Sequence, residues 1–260
     1  MRRLSLLLLA AQALAFWPVW AWYARRTLDP SDEPWGLLAL ATAVILTFRP
    51  SALRPGPAPS FASPAALTIA YAGLFPVLPP LGRSLMALTA MGATLATLSG
   101  RPALHPARLV LFALATPLLP TLQFVAGYPL RVAAGESAAL LLRLSGLPVV
   151  REGTLLSLGD TTVSIDAPCS GVRMLWAGMY LAAVLSWHLG PWRSLACLAL
   201  AVLAAVVGNA LRSAALFYPE SGMLTVPSLA HQGVGLAVFA LVAASVVAAA
   251  RLLEGRTCAV

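Results

Sequence analysis

The sequence carries little charge and contains no lysine. Charged residues occupy 10% of its 260 positions, against about 25% in soluble domains, and hydrophobic residues occupy 60%. Mean hydropathy is +0.85. This composition excludes a soluble globular enzyme and a disordered chain, and three cysteines are too few for a disulfide framework. It indicates a polytopic membrane protein, since a span needs roughly 20 apolar residues.

Apolar runs interrupted by Arg, Pro and Gly predict an all-α membrane fold with eight transmembrane helices. The predicted spans are Leu4–Tyr23, Trp35–Phe48, Ser63–Leu81, Ser84–Leu98, Ala107–Val125, Cys169–His188, Trp192–Phe217 and Ser228–Leu252. The first run is long and lacks a small-residue cleavage site, which favours an anchor over a signal peptide. The chain is predicted to be a single membrane domain with five N-terminal spans (1–125), an outer segment (126–168), three further spans (169–253) and an inner tail (254–260).

The arginines predict the orientation. With both termini inside, the inner face receives nine arginines and one acidic residue, and the outer face receives six arginines and eight acidic residues. The inner set is Arg2, Arg3, Arg49, Arg54, Arg101, Arg108, Arg193, Arg251, Arg256 and Glu254. The outer set is Arg25, Arg26, Arg83, Arg131, Arg143, Arg151, Asp29, Asp32, Glu33, Glu136, Glu152, Asp160, Asp166 and Glu220. Because basic loops stay cytoplasmic, we predict cytoplasmic termini and a cytoplasmic-membrane location; the net charge of +8 then reports topology, not nucleic-acid binding.

The longest stretch without a predicted span, 126–168, falls on the outer face. Its part from Leu130 to Leu144 mixes arginine and glutamate with leucine and alanine, which predicts an amphipathic interfacial helix. The runs Thr154–Leu158 and Thr161–Ile165 flank Gly159 and Asp160, which predicts a β-hairpin with a two-residue turn.

Two arginines fall inside predicted spans. Arg173 lies one turn into the sixth span, and Arg212 lies near the outer end of the seventh. Ionised residues within a bilayer are costly and therefore indicate function. The alternative is that each snorkels to the interface.

Cys169 lies in the sequence Asp166-Ala-Pro-Cys-Ser-Gly-Val-Arg173, at the start of the sixth span. Pro168 suits a helix start, where unpaired N–H groups and the helix dipole favour a thiolate. Arg173, four residues later, would share its face. The alternative is a small buried hydrophobic residue. Cys197, in apolar mid-span surroundings, and Cys258, in the inner tail, are predicted to have no catalytic role.

His231 opens the eighth span, and a histidine at a helix start is, by itself, more often an interfacial or capping residue than a catalytic one. His105 and His188 fall on the inner face and are expected to be structural. Since the sixth and eighth spans run inward and the seventh runs outward, Cys169, Arg212 and His231 share the outer membrane level. A nucleophile, a cation and a proton carrier at one depth indicate acyl transfer.

Three short motifs carry a family resemblance. Cys169-Ser-Gly-Val-Arg173, then Asn209-Ala-Leu-Arg212, then His231 followed by Gly233 resemble the exosortase/archaeosortase family, as does the preceding Leu144-Ser-Gly-Leu-Pro-Val-Val-Arg-Glu-Gly153. The resemblance covers about half of the chain, from Leu130 to its end.

The resemblance implies a membrane cysteine transpeptidase that processes exported proteins. Their C-terminal sorting signal has a short motif such as Pro-Glu-Pro, a transmembrane helix and a basic cluster. The family's Cys–Arg–His triad maps onto Cys169, Arg212 and His231, with Arg173 and Asn209 as supporting residues; Arg173 would tune the thiol and Asn209 would orient Arg212. Membrane lipid is the other expected partner, and neither a cofactor, nor a metal, nor nucleic acid is expected.

Two other functions fit the same sequence. A non-catalytic component of envelope polysaccharide export could use Arg173 and Arg212 to bind an anionic lipid or glycan. A secondary transporter with an intramembrane anion site is less favoured, because paired discontinuous spans and inverted halves are not evident.

The predicted orientation can be tested with reporter fusions. Alkaline phosphatase inserted within 126–168 should be active, because it folds outside, whereas a C-terminal fusion should be inactive. A C-terminal green fluorescent protein serves as the reciprocal control and should fluoresce. The opposite pattern would reverse the assigned face of Cys169.

Overall fold

A computed structural model describes residues 2–28, 34–49, 60–225, 227 and 229–255. The side chains at 2–5, 167, 168 and 229–231 are outside this description. Cys258, Asp29, Asp32, Glu33, Arg54 and Arg256 also lie outside the described residues. Within the described part the fold is mostly helical, at 75%.

The structure contains ten helices and three strands in its described residues. The helices are α1 (Arg2–Ala15), α2 (Trp17–Thr27), α3 (Trp35–Phe48), α4 (Ala62–Leu74), α5 (Pro80–Leu98), α6 (Pro106–Leu114), α7 (Leu119–Leu144), α8 (Val172–Leu185), α9 (Pro191–Glu220) and α10 (Leu229–Gly255). The strands are β1 (Val150–Glu152), β2 (Leu155–Leu158) and β3 (Thr161–Ser164), and a 3₁₀ turn at Ala167–Ser170 precedes α8.

Three helices are long and apolar enough to cross a membrane: Pro80–Leu98, Pro191–Glu220 and Gln232–Gly255. The number rises to five if each of two helix pairs separated by a short break counts as one span. The helices α3, α4 and α8 are shorter. For example, α3 coincides with the predicted span Trp35–Phe48, yet its 14 residues rise only about 21 Å, less than the roughly 30 Å hydrocarbon core. The protein is therefore a multi-pass membrane protein with three to five candidate spans, and eight spans stay a prediction.

The first predicted span is bent. Its two halves, α1 and α2, meet at an angle of 64° beside Phe16. Pro18 stands in the first turn of α2, where its missing N–H costs no helical hydrogen bond but prevents α1 from continuing through.

The predicted span Ala107–Val125 is not one helix. Helix α6 ends at Leu114 and α7 begins at Leu119. Pro117 explains the break, because proline lacks an N–H and disfavours helical backbone at the residue before it. The segment Leu130–Leu144, predicted as a separate interfacial helix, is the second half of α7.

A three-stranded antiparallel sheet follows α7, in the order β1-β2-β3. Strands β2 and β3 pair around the turn at Gly159 and Asp160, with Leu156 opposite Val163. The flanking strand β1 was not predicted, because Val150–Glu152 is only three residues long. The outer-face position of the sheet stays a prediction.

The sheet packs against α7. Leu156, Val163 and Ile165 share a buried cluster with Ala138 and Leu142 of that helix. Polar contacts add to this apolar contact: Arg151 pairs with Glu136, and the Arg143 Nε–H donates to the Val149 carbonyl at 2.8 Å. The helix therefore supplies the support that an isolated hairpin lacks.

The chain divides into two compact units, one of Met1–Leu118 with Ala183–Leu195 and one of Leu119–Ala182 with Ala196–Val260. In the first unit, α5 contacts α1, α2, α4 and α6. A buried Gln12 links the helices by accepting from Thr94 Oγ1 at 2.9 Å and donating to Thr68 Oγ1 at 2.8 Å. Buried polar groups in a membrane helix need such partners.

Close packing of α5 against α6 depends on Gly92. A Cβ atom at this position would lie 2.4 Å from Cδ2 of the buried Phe112. We expect Gly92→Ala to lower the unfolding temperature in detergent, because overpacking costs about 1–3 kcal/mol and exceeds the helix-propensity gain of at most about 1 kcal/mol. The control Gly73→Ala, where no atom lies within 4 Å, should leave it unchanged or raise it. Equal effects of both variants would contradict this account.

Candidate active site

Cys169 lies in the 3₁₀ turn Ala167–Ser170, not in the first turn of an α-helix. The turn ends at Gly171, whose φ of +82° is in the left-handed region, and α8 begins at Val172. The helix within the predicted span Cys169–His188 therefore begins three residues later than predicted and ends at Leu185. Because the backbone reverses hand at Gly171, the helical i,i+4 relation between Cys169 and Arg173 does not hold. Arg173 is exposed near the start of α8.

A side chain of α9 holds the cysteine turn in place. The Asn209 amide Nδ2 donates to the Cys169 carbonyl at 3.0 Å, and Asn209 is 5% exposed. A Cβ at position 171 would lie 2.7 Å from Asn209 Cγ. Gly171 is thus required both for its positive φ and for the close approach of Asn209. The sequence predicted that Asn209 orients Arg212, whereas its hydrogen bond goes to the backbone of Cys169.

A second contact fastens the same turn to α7. The Ser170 hydroxyl donates to Gln123 Oε1 at 3.0 Å, and Ser170 is buried. Sequence reasoning missed both residues. The available signal was the single amide side chain in the otherwise largely apolar stretch from Leu118 to Val125, since a polar residue in such a stretch usually has a specific partner.

The thiol of Cys169 is half-buried and packs against the cluster that contains Phe217. It lies outside α8, in the turn that precedes it. Burial raises the pKa of this thiol above its ordinary value, the positive charge of Arg212 lowers it, and Glu220 and Asp166 raise it further. The net direction is upward, opposite to the thiolate that a helix start would favour. The cysteine is therefore protonated at neutral pH unless a base takes its proton.

Arg212 lies between the cysteine turn and α10. Its charge acts on Cys169, and a Cβ placed at Gly235 would be 3.5 Å from its Nε. Gly235 follows His231 by four residues, which is one turn of α10. The side chain of His231 is outside the described part of the structure.

The three helices that carry the predicted site are neighbours. A Cβ at Gly208 of α9 would lie 2.4 Å from Val242 Cγ2 of α10 and 3.2 Å from Met174 Sδ of α8. Hydropathy assigns a depth to each residue but cannot show which helices touch. The glycine at 208 is what lets α9 approach both of its neighbours closely.

The opposing charges around Cys169 predict opposite shifts in its reactivity. In a Cys197→Ala, Cys258→Ala background, Arg212→Gln should raise the thiol pKa and move the pH–rate profile of maleimide labelling to higher pH. Glu220→Gln should move it to lower pH. At a pH below the pKa, labelling should be slower than in the parent for the first variant and faster for the second, because only the thiolate reacts. Shifts of the same sign would contradict the assignment.

Comparison with known proteins identifies the family. A family model described as transmembrane exosortase matches residues 4–248, a range that includes Cys169, Asn209, Arg212 and His231. The chain matches no curated protein and no solved structure. Since the match extends over nearly the whole sequence, this protein belongs to the transmembrane exosortase family.

Proposed function

We propose that this protein is a membrane cysteine transpeptidase that cleaves the C-terminal sorting signal of exported proteins, with Cys169 as its nucleophile. Family membership supports a membrane transpeptidase role in general. The observation that carries the residue assignment is the hydrogen bond from Asn209 to the Cys169 carbonyl, because it holds the cysteine turn against α9, the helix that carries Arg212 three residues further on. A cation beside a nucleophile suits a reaction in which negative charge forms at that point.

In the proposed reaction, His231 takes the proton of the Cys169 thiol as the sulfur attacks the scissile carbonyl. The guanidinium of Arg212 stabilises the resulting oxyanion. The intermediate collapses to a thioester as the C–N bond breaks, and the leaving amine takes the proton from His231. An acceptor amine or water then attacks the thioester and restores the thiol.

The base is an essential part of this scheme. Burial raises the pKa of Cys169 despite the favourable charge of Arg212, so the resting residue is a thiol. Cysteine nucleophiles in this condition depend on an adjacent base. His231, one helical turn before the glycine that borders Arg212, is the candidate.

Two residues have supporting roles in the proposal. Asn209 fixes the carbonyl of Cys169 and hence the backbone that presents the thiol. Arg173 stays a supporting candidate at the start of α8, where it is exposed.

The substrates are proposed to be exported proteins whose C-terminal signal has a short motif, a transmembrane helix and a basic tail. The helix would dock in the lipid beside the protein and present the motif at the outer face of the cytoplasmic membrane. Both termini of the enzyme would then be cytoplasmic.

A second candidate function is a non-catalytic component of envelope polysaccharide export. The raised pKa of Cys169 favours it, because burial is typical of inert cysteines. In this case Arg173 and Arg212 would bind an anionic lipid or glycan, and the cysteine would be dispensable.

Replacing the cysteine distinguishes the two functions. Cys169→Ala and Cys169→Ser should abolish trimming of a tagged, co-expressed exported protein with such a signal, since losing a catalytic nucleophile costs on the order of a millionfold in a well-studied hydrolase. Processing is followed by the size of the tagged protein on gels, with the membrane abundance of the enzyme measured in parallel.

The buried Cys197 provides the matched control. Cys197→Ala should process the substrate normally. Normal trimming by the Cys169 variants would overturn the nucleophile assignment and favour the non-catalytic function. That function predicts that Arg173→Ala and Arg212→Ala impair polysaccharide export, whereas Cys169→Ala leaves it unchanged.

A further inference from the structure

A cavity of about 70 Å³ lies beside the cysteine turn. Its walls come from α7, from the start of α8 with the residues just before it, and from α9. The small residues Ala133, Ala134, Gly171 and Ala205 leave the space open.

The cavity adjoins the proposed nucleophile. Two of its lining residues, Ser170 and Gly171, directly follow Cys169 in the chain. A third, Asn209, is hydrogen-bonded to the Cys169 carbonyl. A group in the cavity would therefore rest on the turn that carries the thiol.

One side of the cavity is open. Ala133 of α7 is exposed and Val206 of α9 is 48% exposed, whereas Ala134 and Ala205 are buried. The entrance thus lies between α7 and α9 and the closed end lies towards the cysteine turn. A peptide that lies in the membrane beside the protein could therefore enter the cavity laterally, between α7 and α9.

The size of the cavity limits what it can hold. A cavity of about 150 Å³ accommodates benzene, so one of about 70 Å³ has room for a group of about three carbon atoms. Its mainly alanine, leucine and valine lining favours an aliphatic group. A short aliphatic side chain meets both conditions.

The polar side chains of the lining are engaged within the protein. The Asn209 amide Nδ2 donates to the Cys169 carbonyl at 3.0 Å. The hydroxyls of Ser137 and Ser170 donate to the Ala133 carbonyl at 2.9 Å and to Gln123 Oε1 at 3.0 Å. The cavity therefore offers an occupant mainly apolar contact.

We propose that this cavity binds the substrate residue next to the scissile bond, with its short aliphatic side chain between α7 and α9. This inference rests on the proposed function, because the occupant is the peptide that Cys169 attacks. It makes Ala133 and Ala205 determinants of specificity.

Filling the entrance tests the pocket. Ala133→Leu places an isobutyl group in the cavity from an exposed position and should lower processing of the tagged substrate by about 10- to 200-fold, the usual effect of excess methylenes in a pocket. The matched control Ala199→Leu adds the same group at an exposed position of α9 outside the lining and should process normally. Labelling of Cys169 by methyl methanethiosulfonate should be unchanged in both, since this reagent does not need the pocket.

Reciprocal specificity gives the decisive measurement. Mass spectrometry of the trimmed product locates the cut, and the residues on either side are replaced by Ala, Val, Leu and Phe. The wild type should process Ala and Val at one of these positions and lose at least about tenfold with Phe. Leu130→Ala, which widens the lining, should recover processing of the Phe substrate relative to the Val substrate.

The outcomes separate the two proposals. Suppose that trimming needs Cys169 but that neither residue flanking the cut shows a size preference, or that Leu130→Ala does not change this preference. The assignment of the pocket is then wrong, and the proposed function stands. If Cys169→Ala still trims, the proposed function fails and the pocket with it. A size preference that Leu130→Ala shifts supports both.

Discussion

The contact between Asn209 and the turn around Cys169 is the constraint on which the candidate site depends. The amide holds the Cys169 carbonyl at 3.0 Å and packs where a side chain at position 171 would stand. The turn must therefore contain glycine, the chain must reverse hand there, and α8 can begin only at Val172. Since Asn209 and Arg212 lie three residues apart on α9, the helix that fixes the backbone of Cys169 also brings the cation that acts on its thiol.

Much of the helical architecture follows from hydropathy. The ends of α9 and α10 fall within three residues of the predicted spans Trp192–Phe217 and Ser228–Leu252. Hydropathy fails where a proline or glycine interrupts an apolar run without changing its polarity. Pro18 and Pro117 bend or end helices inside predicted spans, because backbone N–H groups do not enter a hydropathy sum. Similarly, α7 was divided between a span and an interfacial helix, because Arg131, Glu136 and Arg143 suggested an aqueous boundary.

The candidate site divides in the same way: features set by the local sequence were predicted, and features set by tertiary contacts were not. Predicted depth brought together Cys169, Arg212 and His231, and the family motif added Asn209; the fold places these positions within one compact unit. The sequence favoured a thiolate because it placed a helix start at Cys169, whereas burial, which is a property of the folded chain, raises the pKa of the thiol. Gln123, Ser170 and the cavity were missed for the same reason, since each depends on contact between helices distant in sequence.

The raised pKa of Cys169 is compatible with catalysis because the charge of Arg212 acts both on the resting thiol and on the oxyanion that forms during the proposed attack. Burial makes a thiolate costly in the resting protein, which protects the sulfur from adventitious alkylation and oxidation. During the proposed attack, negative charge passes from sulfur to the carbonyl oxygen a few ångströms away. A cation beside Cys169 favours both charge positions, so one arginine offsets the desolvation of the thiolate and then of the oxyanion. Low dielectric surroundings raise the cost of an isolated charge and also strengthen its attraction to a neighbouring cation. A half-buried cysteine beside an arginine can therefore be unreactive at rest and competent once a base takes its proton.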